Sequence, residues 1–231
     1  MISTTPAKLP ERITLPGRDV SMVPINAAAH IDALWEATKG KENDDLWRYL
    51  FEGPFADREA HLAWLKTAEA STDPLYYAII DNKTGKAVGR CSFLRIEPKH
   101  RCIEVGAILY APQLQRTRGA TEAMYLMMRY AFEELGNRRY EWKCNALNAP
   151  SRRAALRYGF TFEGIFRQHM IVKGQNRDTA WFSIIDSEWP VVKEAFEKWL
   201  TAENFTADGA QKQSLAAWRA ASNDKERRSG G

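Results

Sequence analysis

Residues 102–123 read CIEVGAILYAPQLQRTRGATEA and decide the fold of this chain. An apolar strand, Cys102 to Leu109, leads through a short loop with two arginines into an amphipathic helix that begins near Ala120. The first N–H groups of a helix have no acceptor within it, and the positive end of the helix dipole lies there. This strand–loop–helix junction therefore predicts a phosphate-binding site at Gln115 to Thr121.

The composition is that of an ordinary globular protein, with 45% hydrophobic and 27% charged residues in a chain of 231. This length suits one domain. No apolar run approaches the ~20 residues that a membrane-spanning helix needs, and no secretion signal opens the chain. Three cysteines without a CxxC pair argue against a disulfide framework or a zinc site. We therefore expect a cytoplasmic protein with neither a membrane partner nor a metal.

The net charge of +4 is modest, but arginines cluster between Arg116 and Arg167. Such a cluster suits an anionic small ligand as well as weak attraction to nucleic acid. No RNA- or DNA-binding signature accompanies the cluster, and aromatic residues are not interleaved with it. We therefore expect no nucleic-acid partner.

The chain divides into a flexible N-terminal arm (1–17, with three prolines), a main domain (18–200) and a polar basic tail (201–231). The pattern predicts strands at residues 18–25, 75–80, 87–96, 102–109, 140–145, 161–171 and 179–185. It predicts helices at residues 27–38, 57–70, 120–135, 150–158 and 187–200. This order indicates an α/β domain with an antiparallel meander, a βαβ-like crossover and a closing hairpin.

Three pieces of sequence resemble the GNAT superfamily of acetyl-CoA-dependent N-acyltransferases. They are IEVGAILY with its loop and the ATEA at 120–123, then NAPS at 148–151 and GFTFEGIFR at 159–167. The chain is most similar to the group that includes bacterial ribosomal-protein N-terminal acetyltransferases (RimJ/RimL-type), over residues 18–188. The resemblance implies a GNAT fold, with a mixed central sheet whose parallel strands splay apart between flanking helices. It also implies direct acetyl transfer from acetyl-CoA to a primary amine, and it allows a homodimer.

The family's phosphate loop reads Gln/Arg-x-x-Gly-x-Gly/Ala, and this chain departs from it. Arg118 stands where the first glycine usually lies, and Gly119 is expected to supply the backbone freedom instead. Arg116 and Arg118 are expected to add positive charge beside the pyrophosphate. The alternative is a surface loop with solvated arginines. The resemblance assigns acetyl-CoA binding here to Gln115, Arg116, Thr117, Arg118, Gly119, Ala120 and Thr121.

The resemblance also implies that the pantetheine arm of CoA lies between the strands at 102–109 and 140–145, where backbone groups of Ile108 and Leu109 pair with it. Many family members protonate the leaving thiolate with a tyrosine, but Ala155 stands at that position. Ser151 is then the proposed donor to the thiolate, as in the group with an Asn-x-x-Ser motif. Asn148 contacts pantetheine or only caps the helix, and Arg153 reaches the CoA phosphates or is a surface charge.

A protonated amine cannot attack a thioester. Deprotonation at pH 7 costs roughly 1.4 kcal/mol for an α-amine of pKa near 8 and roughly 4.6 kcal/mol for a lysine near 10.4. Glu104 interrupts the apolar strand and is the candidate base or amine-binding group; the alternative is an ion pair with Arg101 or with an arginine on a neighbouring strand. His169 is a second candidate base, or a packed or surface residue.

The acceptor implied by the resemblance is a protein N-terminus, a polyamine or amino sugar, or a toxic amine such as an antibiotic. A different class of function is also open, namely a catalytically weak acyl-CoA-binding regulatory module. Arg118 and the missing tyrosine favour this second hypothesis.

Overall fold

The computed structural model describes residues 4–229, and the side chains of residues 4–222. Its centre is an eight-stranded sheet in the order β1-β2-β3-β4-β5-β6-β8-β7. Neighbouring strands are antiparallel, except for β5 and β6, which are parallel. The strands are β1 (Leu15–Pro16), β2 (Val20–Pro24), β3 (Leu75–Asp81), β4 (Lys86–Glu97), β5 (Cys102–Tyr110), β6 (Arg139–Asn145), β7 (Thr161–Val172) and β8 (Gln175–Ile185).

Helices cover the sheet on both faces. They are α1 (Ala27–Thr38), α2 (Asp44–Trp47), α3 (Arg58–Ala70), α4 (Arg118–Arg129), α5 (Ala149–Tyr158), α6 (Trp189–Leu200) and α7 (Leu215–Ser229). α1 and α3 bury Ile31, Leu34 and Leu65 in a smaller core. α4 and α6 bury Met124 and Phe196 in the larger core. The GNAT fold expected from the sequence is confirmed.

Four helices begin where a short polar side chain satisfies a free backbone N–H group. The Asn26 side chain accepts from the N–H of Ala29 at the start of α1. Asp57 accepts from Ala60 in the same way at α3. Thr117 caps α4 and Asn148 caps α5. The boundaries of α1 match the sequence prediction because the capping residue and the apolar spacing agree.

The parallel strands separate in the middle of the sheet. The register of β5 with β6 runs from Cys102, opposite Arg139, only as far as Val105, opposite Trp142. Beyond it, β5 bulges at Ala107, which takes a left-handed conformation with φ 49°. The buried Arg90 of β4 donates to the carbonyl oxygen of Ala107 at 2.7 Å and braces the bulge. The splayed strands implied by the family resemblance are therefore present.

Among the predicted elements, two show the clearest differences from the structure. The predicted helix at 120–135 is α4 followed by a π-helical turn, Tyr130–Glu134. This turn is wider than an α-helical turn and ends before Gly136. β8 begins at Gln175, four residues before the predicted start, because its polar first residues pair with the end of β7.

The described residues of the predicted arm and tail contact the main domain. In the described part of the arm, the N–H of Ala7 donates to the oxygen of Pro98, and Leu15 is buried in β1. In the predicted tail, Leu215 is 1% exposed, and Arg219 Nη1 of α7 donates to the oxygen of Arg157. The described parts of both segments therefore pack on the main domain, because each buries an apolar residue and forms a hydrogen bond with that domain.

No helix within residues 4–229 combines the length and the apolar character that crossing a bilayer requires.

Candidate active site

A groove of about 2090 Å³ opens where β5 and β6 separate. The start of α4 and the segment 45–52 both line it. The first turn of α5 and the chain at 205–211 add to its walls. The groove therefore joins the predicted phosphate loop to the predicted catalytic residues.

The phosphate end is built around the start of α4. Thr117 Oγ1 accepts from the N–H of Ala120, which leaves the N–H groups of Arg118 and Gly119 without an acceptor in the helix. Arg116 precedes them in a left-handed conformation, with φ 62°. Gln115 Nε2 donates to the oxygen of Tyr110 at 2.9 Å and braces the loop. This arrangement can accept a phosphate group.

The side chain of Arg118 is engaged by neighbouring residues of the groove. Its Nε and Nη2 donate to the two carboxylate oxygens of Asp19 at 2.5 and 2.6 Å, and its guanidinium lies over the ring of Phe205. Arg118 therefore joins the start of α4 to the residue before β2, and Asp19 balances the charge that was expected beside the pyrophosphate.

Gly119 has a different role from the one expected. It does not take a left-handed conformation; Arg116 does. A Cβ atom at Gly119 would lie 2.8 Å from Cγ1 of Val20 in β2. The glycine is therefore needed for the close approach of α4 to the sheet rather than for backbone freedom.

Two further arginines reach the same end of the groove from α5. Arg157 Nη1 donates to the hydroxyl of Thr121 at 3.1 Å, so this hydroxyl is already engaged. Arg153 is exposed and lines the groove, in agreement with either of its expected roles. Arg157 was missed by the sequence reasoning, although it lies one turn after Arg153 on the same helix.

Ser151 lies in the first turn of α5. Its N–H donates to the side chain of Asn148 at 3.1 Å, so Asn148 caps the helix and also lines the groove. The indole N–H of Trp142 donates to Ser151 Oγ at 3.0 Å. Burial raises the pKa of the neighbouring Cys144 thiol, and a hydrogen bond with Ser151 opposes this rise.

Ile108 and Leu109 line the groove on the edge of β5 that has left β6. Leu109 pairs with Arg90 of β4 on the other side. Because the register with β6 ends at Val105, backbone groups on the open edge have no strand partner. This edge can pair with an extended ligand, as expected.

Glu104 is almost fully buried and lines the groove. Both of its oxygens lie 2.8 Å from Arg95 Nη1, and Lys143 Nζ donates to one of them at 2.8 Å. Burial raises the pKa of Glu104, and the charges of Lys143 and Arg95 oppose this rise. The ion pair with a neighbouring-strand arginine is thus present, whereas Arg101 donates to the oxygen of Gly136.

His169 is exposed on β7 and is not among the residues that line the groove. Its Nδ1 lies 3.0 Å from Thr179 Oγ1, and its ring contacts Phe166 and Trp181. Loss of solvent contact lowers its pKa, and nearby positive charges act in the same direction. The structure therefore does not bring His169 together with Glu104 and Ser151 in the groove.

Two cationic residues in the site were missed by the sequence reasoning. Lys143 reaches Glu104 from β6. Arg177 lines the groove from β8 and is 7% exposed. Lys143 alternates with the apolar residues of β6, and Arg177 stands among the polar first residues of β8, so neither position is distinguished by its local sequence.

Among the described residues, no group of three or more His, Cys, Asp or Glu side chains could hold a metal ion.

The family described as "Acetyltransferase (GNAT) domain" matches residues 20–161. A crystal structure of a GCN5-related N-acetyltransferase from Brucella melitensis is 50% identical. It covers 94% of this chain and 98% of its own, with a TM-score of 0.92. The "Putative ribosomal N-acetyltransferase YdaF" of Bacillus subtilis is 30% identical over 105 residues, 46% of this chain and 57% of its own.

The Microcin C7 self immunity acetyltransferase MccE, solved in complex with acetyl-CoA and AMP, is 18% identical and has a TM-score of 0.63. This match covers 73% of this chain and 93% of that one, and it shows a shared fold. The family match spans more than half of the chain, and the splayed strands and the groove are of the kind expected for that family. The chain belongs to the GNAT family of acetyltransferases.

Proposed function

We propose that this protein transfers an acetyl group from acetyl-CoA directly to the nitrogen of a primary amine, either a protein N-terminus or a small molecule. The observation that carries the proposal is the single groove between β5 and β6. It places the free N–H groups of α4, the open edge of β5, Ser151 and Glu104 along one continuous surface.

Acetyl-CoA would lie with its pyrophosphate at the N–H groups of Arg118 and Gly119. Arg116, Arg153 and Arg157 surround this position and add positive charge. The pantetheine arm would pair with the open edge of β5 at Ile108 and Leu109 and bring the thioester towards Ser151.

In the reaction, the amine nitrogen attacks the thioester carbon, the carbon–sulfur bond breaks, and the nitrogen loses a proton while the sulfur gains one. Glu104 would accept the amine proton through water, since its buried carboxylate has a raised pKa. Ser151 would donate to the departing sulfur. An indole N–H can only donate, so the serine oxygen must accept from Trp142 and its own proton stays available.

A covalent acetyl-cysteine intermediate does not fit the cysteines of this chain. The three thiols are free, and burial raises the pKa of Cys91 and of Cys102 to about 12. Burial also raises the pKa of Cys144, which lies in the groove. Such thiols stay protonated at pH 7 and are poor nucleophiles.

The experiment is a CoA-thiol release assay with acetyl-CoA and a panel of amines that contains peptides with free N-termini, amino acids, polyamines and amino sugars. We expect release that depends on the amine and yields its N-acetyl derivative. Binding of acetyl-CoA without transfer to any amine would favour the acyl-CoA-binding regulatory module instead.

A further inference from the structure

Arg177 is a buried cation that forms no direct ion pair with any described residue, although the charge of Glu104 acts on it from a distance. Its side chain makes no hydrogen bond or ion pair with any residue that the structure describes, and its Nε is enclosed without an acceptor. Its closest described partner is the ring of Phe51, whose centroid lies 5.1 Å from the guanidinium carbon. Arg177 nevertheless lines the groove.

The strand register places Arg177 on the same face of the sheet as the candidate base. On β8, Trp181 lies opposite Lys143, and Thr179 lies opposite Asn145. Because side chains alternate along a strand, Arg177 lies on the face of Thr179, Trp181 and Lys143. Lys143 in turn holds Glu104 on that face.

The other cations around Glu104 have direct ion-pair partners. Arg95 and Lys143 share Glu104, Lys143 also pairs with Glu141, and Arg90 pairs with Glu52. Among these described cations, Arg177 is the one that lacks a carboxylate in direct contact. A guanidinium stays protonated at neutral pH, and burying it without a partner is costly. Such an arrangement is expected where a ligand supplies the missing anion.

We infer that Arg177 binds a carboxylate that the acceptor carries close to its reacting amine. This inference rests on the proposed acetyltransferase function and names the chemical class of its substrate. A carboxylate matches the planar fork of a guanidinium with two parallel hydrogen bonds. The carboxylate comes either from the main chain of a free amino acid or from the side chain of an acidic first residue in a peptide.

The position of Arg177 assigns the carboxylate to the acceptor rather than to the acyl donor. The hairpin of β7 and β8 meets the segment 45–53, part of which lines the groove. Lys173 Nζ at the hairpin tip donates to the carbonyl oxygens of Trp47 and Gly53 at 2.9 and 2.6 Å. Arg177 stacks on Phe51 of that same segment. Through Lys143, Arg177 is grouped with Glu104, the candidate base for the acceptor amine.

The first experiment measures binding by calorimetry to the CoA-loaded protein. The probes are two matched pairs: N-acetyl-alanine with its carboxamide, and N-acetyl-Asp-Ala-amide with N-acetyl-Asn-Ala-amide. We expect the wild-type protein to bind the acid of one pair at least about tenfold tighter than its amide. Arg177→Gln should bind acid and amide alike, whereas the control Arg167→Gln, an exposed arginine of the same hairpin, should behave as wild type. The preferred pair identifies the source of the carboxylate.

Two variants control for misfolding. Arg177→Gln and Arg177→Met both remove an unpaired buried charge, so each should have a Tm at least equal to that of the wild-type protein. Equal affinity for acid and amide in the wild-type protein, for both pairs, would overturn the inference. A preference for the acid that persists in both variants would overturn it as well.

The second experiment compares kcat/KM for the non-acetylated forms of the same pairs. Arg177→Gln should abolish the preference for the acid by lowering kcat/KM for the acid acceptor about tenfold or more, whereas the control Arg167→Gln should keep the preference of the wild-type protein. Turnover without any acid preference would refute the inference and leave the acetyltransferase proposal intact. Binding of the acid that depends on Arg177, without turnover of any amine, would support the inference about the carboxylate and refute the acetyltransferase proposal. A preference for succinyl-CoA over acetyl-CoA that Arg177→Gln removes would assign Arg177 to the donor and overturn the inference.

Discussion

Trp142 Nε1 donates a hydrogen bond of 3.0 Å to Ser151 Oγ. The indole has no acceptor to offer in return, so the serine proton points away from Trp142 and stays available for another acceptor. Two residues nine positions apart, on β6 and α5, thereby orient a hydroxyl where the leaving sulfur of acetyl-CoA is expected.

Ser151→Ala should lower kcat by about tenfold or more and change the KM for acetyl-CoA little, because a contact with the departing thiolate strengthens in the transition state. The N–H of residue 151 still donates to Asn148 in this variant, so α5 keeps its cap. Trp142→Phe is the matched control that keeps the hydroxyl and loses its orientation, and it should show a smaller loss. Unchanged kcat in Ser151→Ala would mean that another group or water protonates the sulfur.

Two arginines at the start of α4 should respond differently to substitution. Arg116→Asn keeps a residue that tolerates the left-handed conformation and should weaken acetyl-CoA binding by about tenfold, as expected for one charge-assisted contact. Its affinity for S-acetylpantetheine, which lacks the phosphates, should not change. Arg118→Gln breaks the pair with Asp19 and should lower the Tm with a smaller change in affinity. Calorimetry and thermal unfolding separate the two, and the reverse pattern would refute the assignment.

Glu104→Gln should lower the rate by about 10²-fold near pH 7, within the usual range for general-base catalysis. The deficit should shrink as pH rises towards the pKa of the amine, because the free amine then forms without help. Glu141→Gln is the control, because it removes the other carboxylate of Lys143 and so tests the effect of disturbing that buried lysine. A deficit that does not change with pH, or one that Glu141→Gln matches, would give Glu104 a structural role.

His61 should make the fold sensitive to mild acid. Its ring is buried against Phe55 and Trp47 with both nitrogens unpartnered, and burial lowers its pKa from 6.5 to about 4. The unfolded chain therefore binds the proton more readily, and stability is lost as pH falls from about 6.5 towards 4. The loss at pH 4 is about 3 kcal/mol.

Urea unfolding between pH 7 and pH 4 measures this loss. His61→Phe should reduce the acid destabilisation relative to the wild-type protein, while the exposed control His100→Gln should not. An identical pH slope in His61→Phe and wild type would exclude His61 as the source.

The sequence was sufficient for the elements whose signals are local. The bounds of α1 agree with the prediction, because its capping residue Asn26 and its regularly spaced apolar residues lie within one short segment. The side of the groove formed by β5 and the start of α4 was also predictable, because the strand–loop–helix junction at 102–123 is continuous in sequence. Contacts between distant segments were not. The pairing of Arg118 with Asp19 spans 99 positions and that of Glu104 with Lys143 spans 39, and only the register of the sheet brings them together.

A crystal structure of the protein with CoA would test whether the groove holds the acetyl donor in the proposed position. The account predicts the pyrophosphate within about 3 Å of the N–H groups of Arg118 and Gly119, and the CoA sulfur within about 3.5 Å of Ser151 Oγ. A pyrophosphate held away from the start of α4, or a sulfur that does not approach Ser151, would contradict it.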